Sequence, residues 1–312
     1  MAKVALLFPG QGSQEIGMGV ALQQCGGSVA ACFAEADQQT GMALTRLMFD
    51  GPEDELRLTK NCQPALLAVS LAAFRLLSER TGCVPDYVAG HSLGEYSAIC
   101  AAGGFDLATA LRLVRLRGEA MQQAVPVGVG AMAAILNLDA TTIDTVCQQA
   151  MATVGGLCLA ANYNAPGQVV VSGHQQTVAA VMELAKQHGA KRSLLLPVSA
   201  PFHCPLMQPA ADIMATALQQ ATMTDLTVPL VANVTAEPVR DHARIRQLLV
   251  QQVTAAVRWE ESIRRLVQLG VDLFVELGSG KVLAGLVKRI APEVKVFSMA
   301  EPAHLERFAA LL

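Results

Sequence analysis

The sequence contains few charged and few aromatic residues. Of its 312 residues, 16% are Asp, Glu, Lys or Arg and 4% are Phe, Trp or Tyr, and the formal net charge is −3. A small negative net charge does not attract nucleic acid or an anionic membrane, and no basic patch with interleaved aromatic residues occurs. We therefore expect neither nucleic acid nor a membrane among the partners of this protein.

Paired cysteines and long apolar runs are also missing. The eight cysteines are scattered, without a C-x-x-C pair and without zinc-ligand spacing to a histidine. No apolar run is long enough to span a membrane, and the first one, Val4 to Phe8, is too short for a secretory leader. We therefore expect reduced thiols, no metal site and a cytoplasmic location.

What the sequence does contain is apolar material for a large core. Hydrophobic residues make up 52% of the chain, which is enough for about two domains or for one large domain with an insertion. Apolar runs such as Val4–Phe8 and Leu273–Leu277 predict buried strands of a parallel sheet, and helical patterns such as Gln63–Ser78 and Asp106–Gln123 alternate with them. Asp106 is predicted to cap the second of these helices. The fold class that follows is α/β.

The predicted order of strands and helices changes in the middle of the chain. From Ala131 to Pro197 the predicted order is β-α-β-β-α-β, which is the order of a ferredoxin-like unit. Two of its strands, Leu157–Ala161 and Gln168–Ser172, are predicted on either side of a turn-rich loop, and a later strand is predicted at Val228–Asn233. We therefore predict a small subdomain, residues 128–197, inserted into a large α/β subdomain made of residues 1–127 and 198–312.

The segment Gly90-His91-Ser92-Leu93-Gly94 fits the G-x-S-x-G pattern of a nucleophile elbow. A predicted strand ends before it and a predicted helix begins after it, so the Ser92 hydroxyl is expected at a helix N-terminus, where developing negative charge is favoured. The alternative needs no chemistry, because Ser92 and Glu95 also have the spacing of a capping box. The elbow context favours Ser92 as a nucleophile.

An arginine interrupts the apolar stripe of the helix predicted after Asp106. Arg117 stands among residues at helical spacing that are otherwise apolar: Leu107, Ala110, Val114 and Met121. A guanidinium on such a face stays charged and requires a partner. That partner is either a structural carboxylate or water reached by the long side chain, or the carboxylate of a ligand held bidentately.

A serine nucleophile needs a base, which is most often histidine. Of six histidines, only His203 occupies a strand-to-helix loop of the large subdomain, between Pro201 and Pro205, and active sites of parallel sheets cluster at such loops. The alternative is a histidine that serves the core or the loop. No carboxylate between Ser92 and His203 stands out as an orienting acid, but a backbone carbonyl is sufficient to fix the imidazole tautomer.

Several segments together resemble the malonyl-CoA:acyl carrier protein transacylase family, over nearly the whole chain. They are Phe8-Pro9-Gly10-Gln11-Gly12-Ser13-Gln14, Gly90-His91-Ser92-Leu93-Gly94-Glu95-Tyr96-Ser97-Ala98, Arg117-Gly118, Asn162-Tyr163-Asn164-Ala165-Pro166-Gly167-Gln168, His203-Cys204 and Val257-Arg258-Trp259. The resemblance implies an α/β-hydrolase-like large subdomain with a ferredoxin-like insertion. It also implies malonyl transfer from malonyl-CoA to acyl carrier protein by a ping-pong route.

The resemblance also assigns roles to residues. Ser92 matches the family's nucleophile, His203 its general base, and Arg117 the arginine that holds the malonyl carboxylate. Gln252 matches the glutamine whose main-chain carbonyl orients the histidine. Gln11 and Leu93 match the residues whose backbone N–H groups form the oxyanion hole. The partners implied are malonyl-CoA and acyl carrier protein, with no cofactor beyond these substrates, and a monomer is expected.

This sequence departs from the family pattern at a few positions. Phe202 precedes the histidine where many stand-alone bacterial members have Ser, and in this it resembles malonyl-selective domains of multidomain synthases, where the bulky residue crowds the acyl C2. Ala255-Ala256 replaces a common Asn-Pro, and Ser279 replaces a frequent Pro. These differences leave open whether the carrier protein serves fatty acid or polyketide synthesis.

Other classes of protein share parts of this pattern. A serine esterase or thioesterase would use the same elbow but would release its acyl group to water, and its common substrates carry no carboxylate for Arg117. The transferase subunit of a malonate decarboxylase shares the fold. A catalytically silent interaction subunit is disfavoured because Ser92, His203 and Arg117 are all present.

Overall fold

Two β-sheets organise the chain in this computed structural model, which describes residues 2–198 and 200–310. Met1, Ser199, Leu311 and Leu312, which the predicted subdomain ranges include, lie outside the described residues. The strands are β1 (Val4–Phe8), β2 (Tyr87–Gly90), β3 (Gly130–Leu136), β4 (Cys158–Ala165), β5 (Gln168–His174), β6 (Arg192–Leu195), β7 (Leu230–Val231), β8 (Pro238–Val239), β9 (Leu273–Leu277) and β10 (Lys295–Met299).

Helices cover both faces of the large sheet and pack against the small sheet. They are α1 (Val20–Gln23), α2 (Gly27–Thr40), α3 (Leu44–Asp50), α4 (Glu53–Arg57), α5 (Thr59–Thr81), α6 (Gly94–Ala101), α7 (Leu107–Gln123), α8 (Ala140–Val154), α9 (Gln175–Gln187), α10 (Gln208–Gln220), α11 (His242–Thr254), α12 (Trp259–Gln268), α13 (Val282–Ile290) and α14 (Leu305–Ala309). Within the described residues, none of these helices combines the length and the apolar character that crossing a membrane requires.

The large sheet has the strand order β10-β9-β1-β2-β7-β8, and it is parallel except for the pairing of β8 with β7. Strand β1 lies inside it with all five residues buried, because helices cover both faces. Leu6 and Phe8 belong to the core on one face, and Ala5 and Leu7 to the core on the other. The predicted parallel α/β sheet is confirmed.

The small sheet is antiparallel, with the order β4-β5-β3-β6, and helices α8 and α9 pack against it around a core of their own. The connection β3-α8-β4-β5-α9-β6 is the predicted ferredoxin-like order. The two-subdomain α/β fold class is therefore confirmed, while the exact boundaries at 127/128 and 197/198 stay predictions.

The predicted loop at Asn162–Gly167 is wrong for most of its length. Asn162–Ala165 continue strand β4, with irregular register against β5, and only Pro166 and Gly167 form the turn. The strand continues because it also finds a partner in the large subdomain: the Tyr163 N–H donates to the Val257 carbonyl at 3.0 Å, and the Val257 N–H donates to the Ala161 carbonyl at 2.9 Å. This pairing, distant in sequence, outweighs the local turn composition.

The strand predicted at Val228–Asn233 is also too long. Only Leu230 and Val231 pair in the sheet, and the chain then leaves it so that Asn233 reaches the elbow. The short strand β8, which begins at Pro238, carries too few residues for a periodic signal and is not predicted from the sequence.

Candidate active site

The elbow joins β2 to α6 through a tight turn. Ser92 has a left-handed backbone, with φ of 54°, and α6 begins two residues later at Gly94. A Cβ added at Gly90 would lie 1.9 Å from the Gly94 carbonyl oxygen, and one at Gly94 would lie 2.1 Å from the Phe8 carbonyl oxygen. Both glycines are therefore required by the close approach of strand, turn and helix.

The Ser92 hydroxyl meets two functional groups. Its Oγ lies 2.8 Å from His203 Nε2 and accepts a hydrogen bond from Arg117 Nη2 at 3.1 Å. The capping-box interpretation is wrong, because α6 has no side-chain cap at its N-terminus and the Glu95 carboxylate accepts from Asn233 and Gln252 instead. Ser92 is thus free to act as a donor to an imidazole.

The imidazole of His203 is buried and held from behind. Its Nδ1 donates to the main-chain carbonyl of Gln252 on α11 at 2.8 Å, which leaves Nε2 as the acceptor facing Ser92. His203 also has a left-handed backbone, with φ of 59°. Among the described residues no carboxylate contacts the ring, so a carbonyl occupies the position that an acid holds in a Ser-His-Asp triad.

Arg117 on α7 is buried and bound by neutral oxygens. Nη1 donates to Gln63 Oε1 at 2.9 Å, Nη2 donates to Gln252 Oε1 at 2.8 Å, and the guanidinium lies 5.7 Å from the centre of the Tyr96 ring. Within the described part of the chain, no carboxylate lies within ion-pair distance of Arg117. Its charge therefore faces the cavity without a direct counter-charge, which suits an anionic ligand.

A cavity between the two subdomains contains these groups. It is lined by Ser92, His203 and Arg117 and, on the small-subdomain side, by Met132 and Leu196. An acyl group that enters the cavity therefore contacts the Ser92 hydroxyl, the His203 imidazole and the Arg117 guanidinium, with apolar side chains of the small subdomain opposite them.

Three further predicted site residues line the same cavity, whereas Gln252 lies behind the imidazole and does not line it. Gln11 follows β1, Leu93 follows the elbow serine, and Phe202 lies beside His203 with 7% of its surface exposed. In the described residues, neither the Gln11 nor the Leu93 backbone N–H donates to a protein acceptor. Two free donors beside Ser92 have the chemistry of an oxyanion hole.

Comparisons with known proteins give the family. The acyl transferase domain model matches residues 5–301. The malonyl CoA-acyl carrier protein transacylase of Bacillus subtilis (strain 168) is 45% identical over 98% of this chain and 96% of its own. The chain belongs to the malonyl CoA-acyl carrier protein transacylase family. This acyltransferase also matches the crystal structure of acyl-carrier-protein-S-malonyltransferase from Bartonella henselae, with 47% identity, a TM-score of 0.96 and 99% of each chain covered.

One further match is a structure of a type II PKS acyl-carrier protein in complex with its malonyl-transacylase, which is 41% identical to this transacylase, with a TM-score of 0.96 and the whole of both chains covered.

The cavity of the transacylase shifts the pKa of its buried groups. Burial, together with the positive charge of Arg117, lowers the pKa of His203 to about 3, so the imidazole is neutral at physiological pH and can accept a proton. Burial raises the pKa of Glu95 to about 7, although hydrogen bonds from Asn233 and Gln252 oppose this shift. Burial also lowers the pKa of Arg117.

Of the site residues predicted from the sequence, all but Gln252 line this one cavity, and three supporting residues of this enzyme were not predicted. Gln63 holds Arg117, Glu95 holds the Gln252 amide, and Asn233 binds the elbow backbone. Gln63 and Glu95 are polar residues within apolar helices, which is a usable signal of a buried network. Asn233 carries no such signal, because it lies in a loop.

Outside the cavity, and among the residues that the structure describes, one group of side chains in this transacylase has metal-ligand geometry. Potential ligand atoms of Asp225, Asp241 and His242 lie within 4.8 Å of one another at the surface. Both carboxylates already accept backbone N–H groups, from His242 and Arg244 respectively. The two carboxylates therefore cap the N-terminus of α11, which explains the group without a metal ion.

Proposed function

We propose that this enzyme transfers a malonyl group from malonyl-CoA to the phosphopantetheine thiol of an acyl carrier protein, through an acyl-enzyme on Ser92. The observation that carries the proposal is the position of the Ser92 Oγ between a neutral imidazole and a buried guanidinium that has no carboxylate partner within the described residues. A serine acylated at this point places the free carboxylate of a malonyl group toward Arg117. The names of the relatives support the same reaction.

The first half-reaction loads the serine. The malonyl carboxylate of malonyl-CoA binds the guanidinium of Arg117, and His203 Nε2 takes the proton from Ser92 Oγ as that oxygen attacks the thioester carbonyl. The oxyanion accepts from the backbone N–H groups of Gln11 and Leu93, which contribute about 3 kcal/mol per donor in comparable sites. The C–S bond then breaks, and the imidazolium returns its proton to the departing thiolate of coenzyme A.

The second half-reaction runs the same steps with a different thiol. The phosphopantetheine thiol of the carrier gives its proton to His203 and attacks the Ser92 ester, and Ser92 recovers its proton as the malonyl group leaves. The matched complex of an acyl-carrier protein with its malonyl-transacylase supports a carrier protein as the acceptor. Phe202 narrows the cavity next to the acyl C2 and so disfavours a branched acyl group.

Every group that these steps require is a side chain, a backbone N–H or a substrate atom. We therefore propose that the enzyme uses no metal and no cofactor apart from its substrates. We also propose that it acts as a monomer in the cytoplasm, since each group of the site comes from one chain. Sedimentation equilibrium at micromolar concentration tests the oligomeric state.

The test is covalent labelling with radiolabelled malonyl-CoA. Wild type should retain the label, and the mass of the peptide that contains Ser92 should increase by one malonyl group. Ser92→Ala should retain no label, while its melting temperature stays within a few degrees of that of wild type. Addition of a carrier protein with its phosphopantetheine arm should move the label to the carrier faster than water releases it as malonate. Label on another residue contradicts the assignment of Ser92, and release to water alone indicates a thioesterase.

A further inference from the structure

Asn233 lies directly behind the elbow. It is the second residue after β7 and is fully buried. Its side-chain amide spans the two peptide groups on either side of His91: Oδ1 accepts from the Ser92 N–H at 2.8 Å, and Nδ2 donates to the Gly90 carbonyl at 2.7 Å. Strands β2 and β7 pair only through Val88 and Leu230, so this side chain continues their pairing where the elbow turns away.

The backbone of Asn233 is itself fixed by two other elements. Its N–H donates to Glu95 Oε1 of α6 at 2.9 Å, and its carbonyl accepts from the Arg258 N–H, at the start of α12, also at 2.9 Å. Gln252 adds a bond from its Nε2 to the Ser92 carbonyl at 2.9 Å. Asn233 therefore cannot shift toward the elbow or away from it without breaking bonds to α6 and α12.

The elbow needs such a brace because of its backbone conformation. A left-handed φ at a residue with a Cβ costs about 1 to 2 kcal/mol, and it persists only where the surroundings fix it. Ser92 has this conformation, and in it Oγ lies 2.8 Å from His203 Nε2. If the amide at position 233 were lost, the Ser92 N–H would lack its acceptor, and rotation of this peptide would carry Oγ away from the imidazole.

We propose that Asn233 is a positioning residue, which holds Ser92 in the conformation from which it is acylated. It does not line the cavity and contacts no atom that reacts in the proposed mechanism. Because it acts on the attacking oxygen and not on the acyl carboxylate, its loss should slow acylation equally for every acyl group. This inference rests on the proposed role of Ser92 as the nucleophile.

The first experiment removes the amide but keeps the size of the side chain. Asn233→Leu and wild type are mixed with malonyl-CoA or acetyl-CoA under single-turnover conditions, and the acylation rate is expressed per labelled Ser92, so that inactive protein does not count. We expect a fall of about tenfold or more with both thioesters, by the same factor, because a near-attack geometry is lost. The ratio of the two rates should stay at its wild-type value.

Asn61→Leu is the matched control. Asn61 is buried, and its side chain also makes two hydrogen bonds, from Nδ2 to the Glu55 carbonyl at 2.8 Å and to Oδ1 from Arg115 at 2.7 Å. It does not line the cavity. The same substitution there should lower the melting temperature in a comparable way, yet leave the acylation rate per labelled serine within about threefold of wild type, as is usual away from the chemistry.

A second variant, Asn233→Asp, keeps the shape of the side chain and replaces the amide with a titratable carboxyl group. A protonated Asp presents one acceptor and one O–H donor, as Asn does, whereas the carboxylate cannot donate to the Gly90 carbonyl. Burial beside Glu95 should raise the pKa of the new carboxyl. We expect the acylation rate, relative to wild type at each pH, to fall as the pH rises from about 5.5 to about 8.

Other titratable groups also meet position 233, so the comparison with wild type at each pH is needed. Glu95, whose pKa is raised by burial to about 7, contacts it directly, Arg258 contacts it through its backbone, and Arg117 lies beyond Gln252. His203 stays neutral throughout this range, since its pKa is about 3. A loss of relative rate with rising pH therefore reports the new carboxyl group.

The outcomes separate the inference from the proposed function. If Asn233→Leu acylates Ser92 within about threefold of wild type, or loses malonyl transfer alone, Asn233 is a structural residue and the inference is wrong. If Asn233→Leu does not fold, a relative rate of Asn233→Asp that does not change with pH contradicts it equally. Failure of Ser92 to become labelled in wild type would instead reject the proposed function.

Discussion

Arg117 is the residue on which acyl selectivity should depend. It is a buried cation whose hydrogen-bond partners are two glutamine side chains and the Ser92 hydroxyl. Truncation in Arg117→Met leaves a bound malonyl carboxylate without its counter-charge, which costs about 3 kcal/mol and lowers malonyl kcat/KM by about two orders of magnitude. Acetyl-CoA has no such carboxylate, so its kcat/KM should fall little or rise. Steady-state kinetics with both thioesters measure the difference.

The same variant carries an internal check in its pH dependence. The charge of Arg117 contributes to the low pKa of His203, which is about 3, so its removal should raise that pKa toward the ordinary value. A general base works only when neutral, and acetylation by the variant should therefore decline at a higher pH than in wild type as the solution is acidified. Equal losses for malonyl and acetyl, with no shift of this acid limb, would make Arg117 a structural residue.

Functional residues on short motifs could be predicted from the sequence, and the resemblance also gave Gln252 as the support of His203, whereas the partners of the other supporting residues could not be predicted. The elbow is visible because its strand, turn and helix are contiguous, and Arg117 is visible because it interrupts an apolar stripe. Gln63 lies in an apolar helix 54 residues before Arg117, and only the packing of α5 on α7 brings the two side chains together. A polar residue in an apolar helix indicates a buried network, but local spacing does not tell which distant side chain it binds.

The contact between helices α5 and α7 sets the position of Arg117, and Gly118 makes that contact possible. A Cβ at Gly118 would lie 2.7 Å from the Lys60 Cα and 2.7 Å from the Thr59 carbonyl oxygen, and neither backbone atom can yield as a side chain would. Gly118→Ala should therefore destabilise the enzyme by about 1 to 3 kcal/mol, although alanine favours the helix. Urea unfolding measures the free energy of unfolding.

Gly285 is the matched control for this substitution. It lies inside helix α13, and a Cβ added there would meet nothing within 4 Å. Gly285→Ala should stabilise the enzyme by about 0.5 to 1 kcal/mol, because the unfolded chain loses freedom and the helix gains a better residue. If both variants were stabilised equally, the close approach of α5 and α7 at Gly118 would not limit the packing.

At the scale of elements, long periodic segments were predictable and short or shared ones were not. Helix α7 begins after the predicted cap, with Asp106 accepting from the Thr109 N–H at 2.7 Å. Strand β4 extends through residues of turn-forming composition because Val257 of the large subdomain pairs with it. The partner that determines the local structure of β4 lies about a hundred residues away along the chain, so periodicity within a short segment does not predict it.

At the scale of the whole molecule, the site depends on how the two subdomains meet. The large subdomain supplies Ser92, His203 and Arg117, while Met132 and Leu196 of the small one close the cavity over them. Besides the pairing of Val257 with β4, the contact includes a bond of 2.9 Å between His91 Nε2 on the elbow and Asn164 Oδ1 on β4. His91, the residue next to the nucleophile, thus binds the small subdomain that closes the cavity.

Asn164→Ala should loosen this contact, and Trp259, the single tryptophan, can report it. Trp259 is fully buried, with its ring centre 5.5 Å from that of His91. Loss of the acceptor removes one hydrogen bond from the half-buried His91 ring, at a cost of about 1 kcal/mol. We expect a red-shifted Trp259 emission and stronger quenching by acrylamide in the native state.

Asp139→Ala is the control, because it removes the cap of α8 in the same subdomain. It should lower the free energy of unfolding by about 1 kcal/mol without changing the emission. Identical spectra for the two variants would mean that the bond from His91 to Asn164 does not hold the subdomains together.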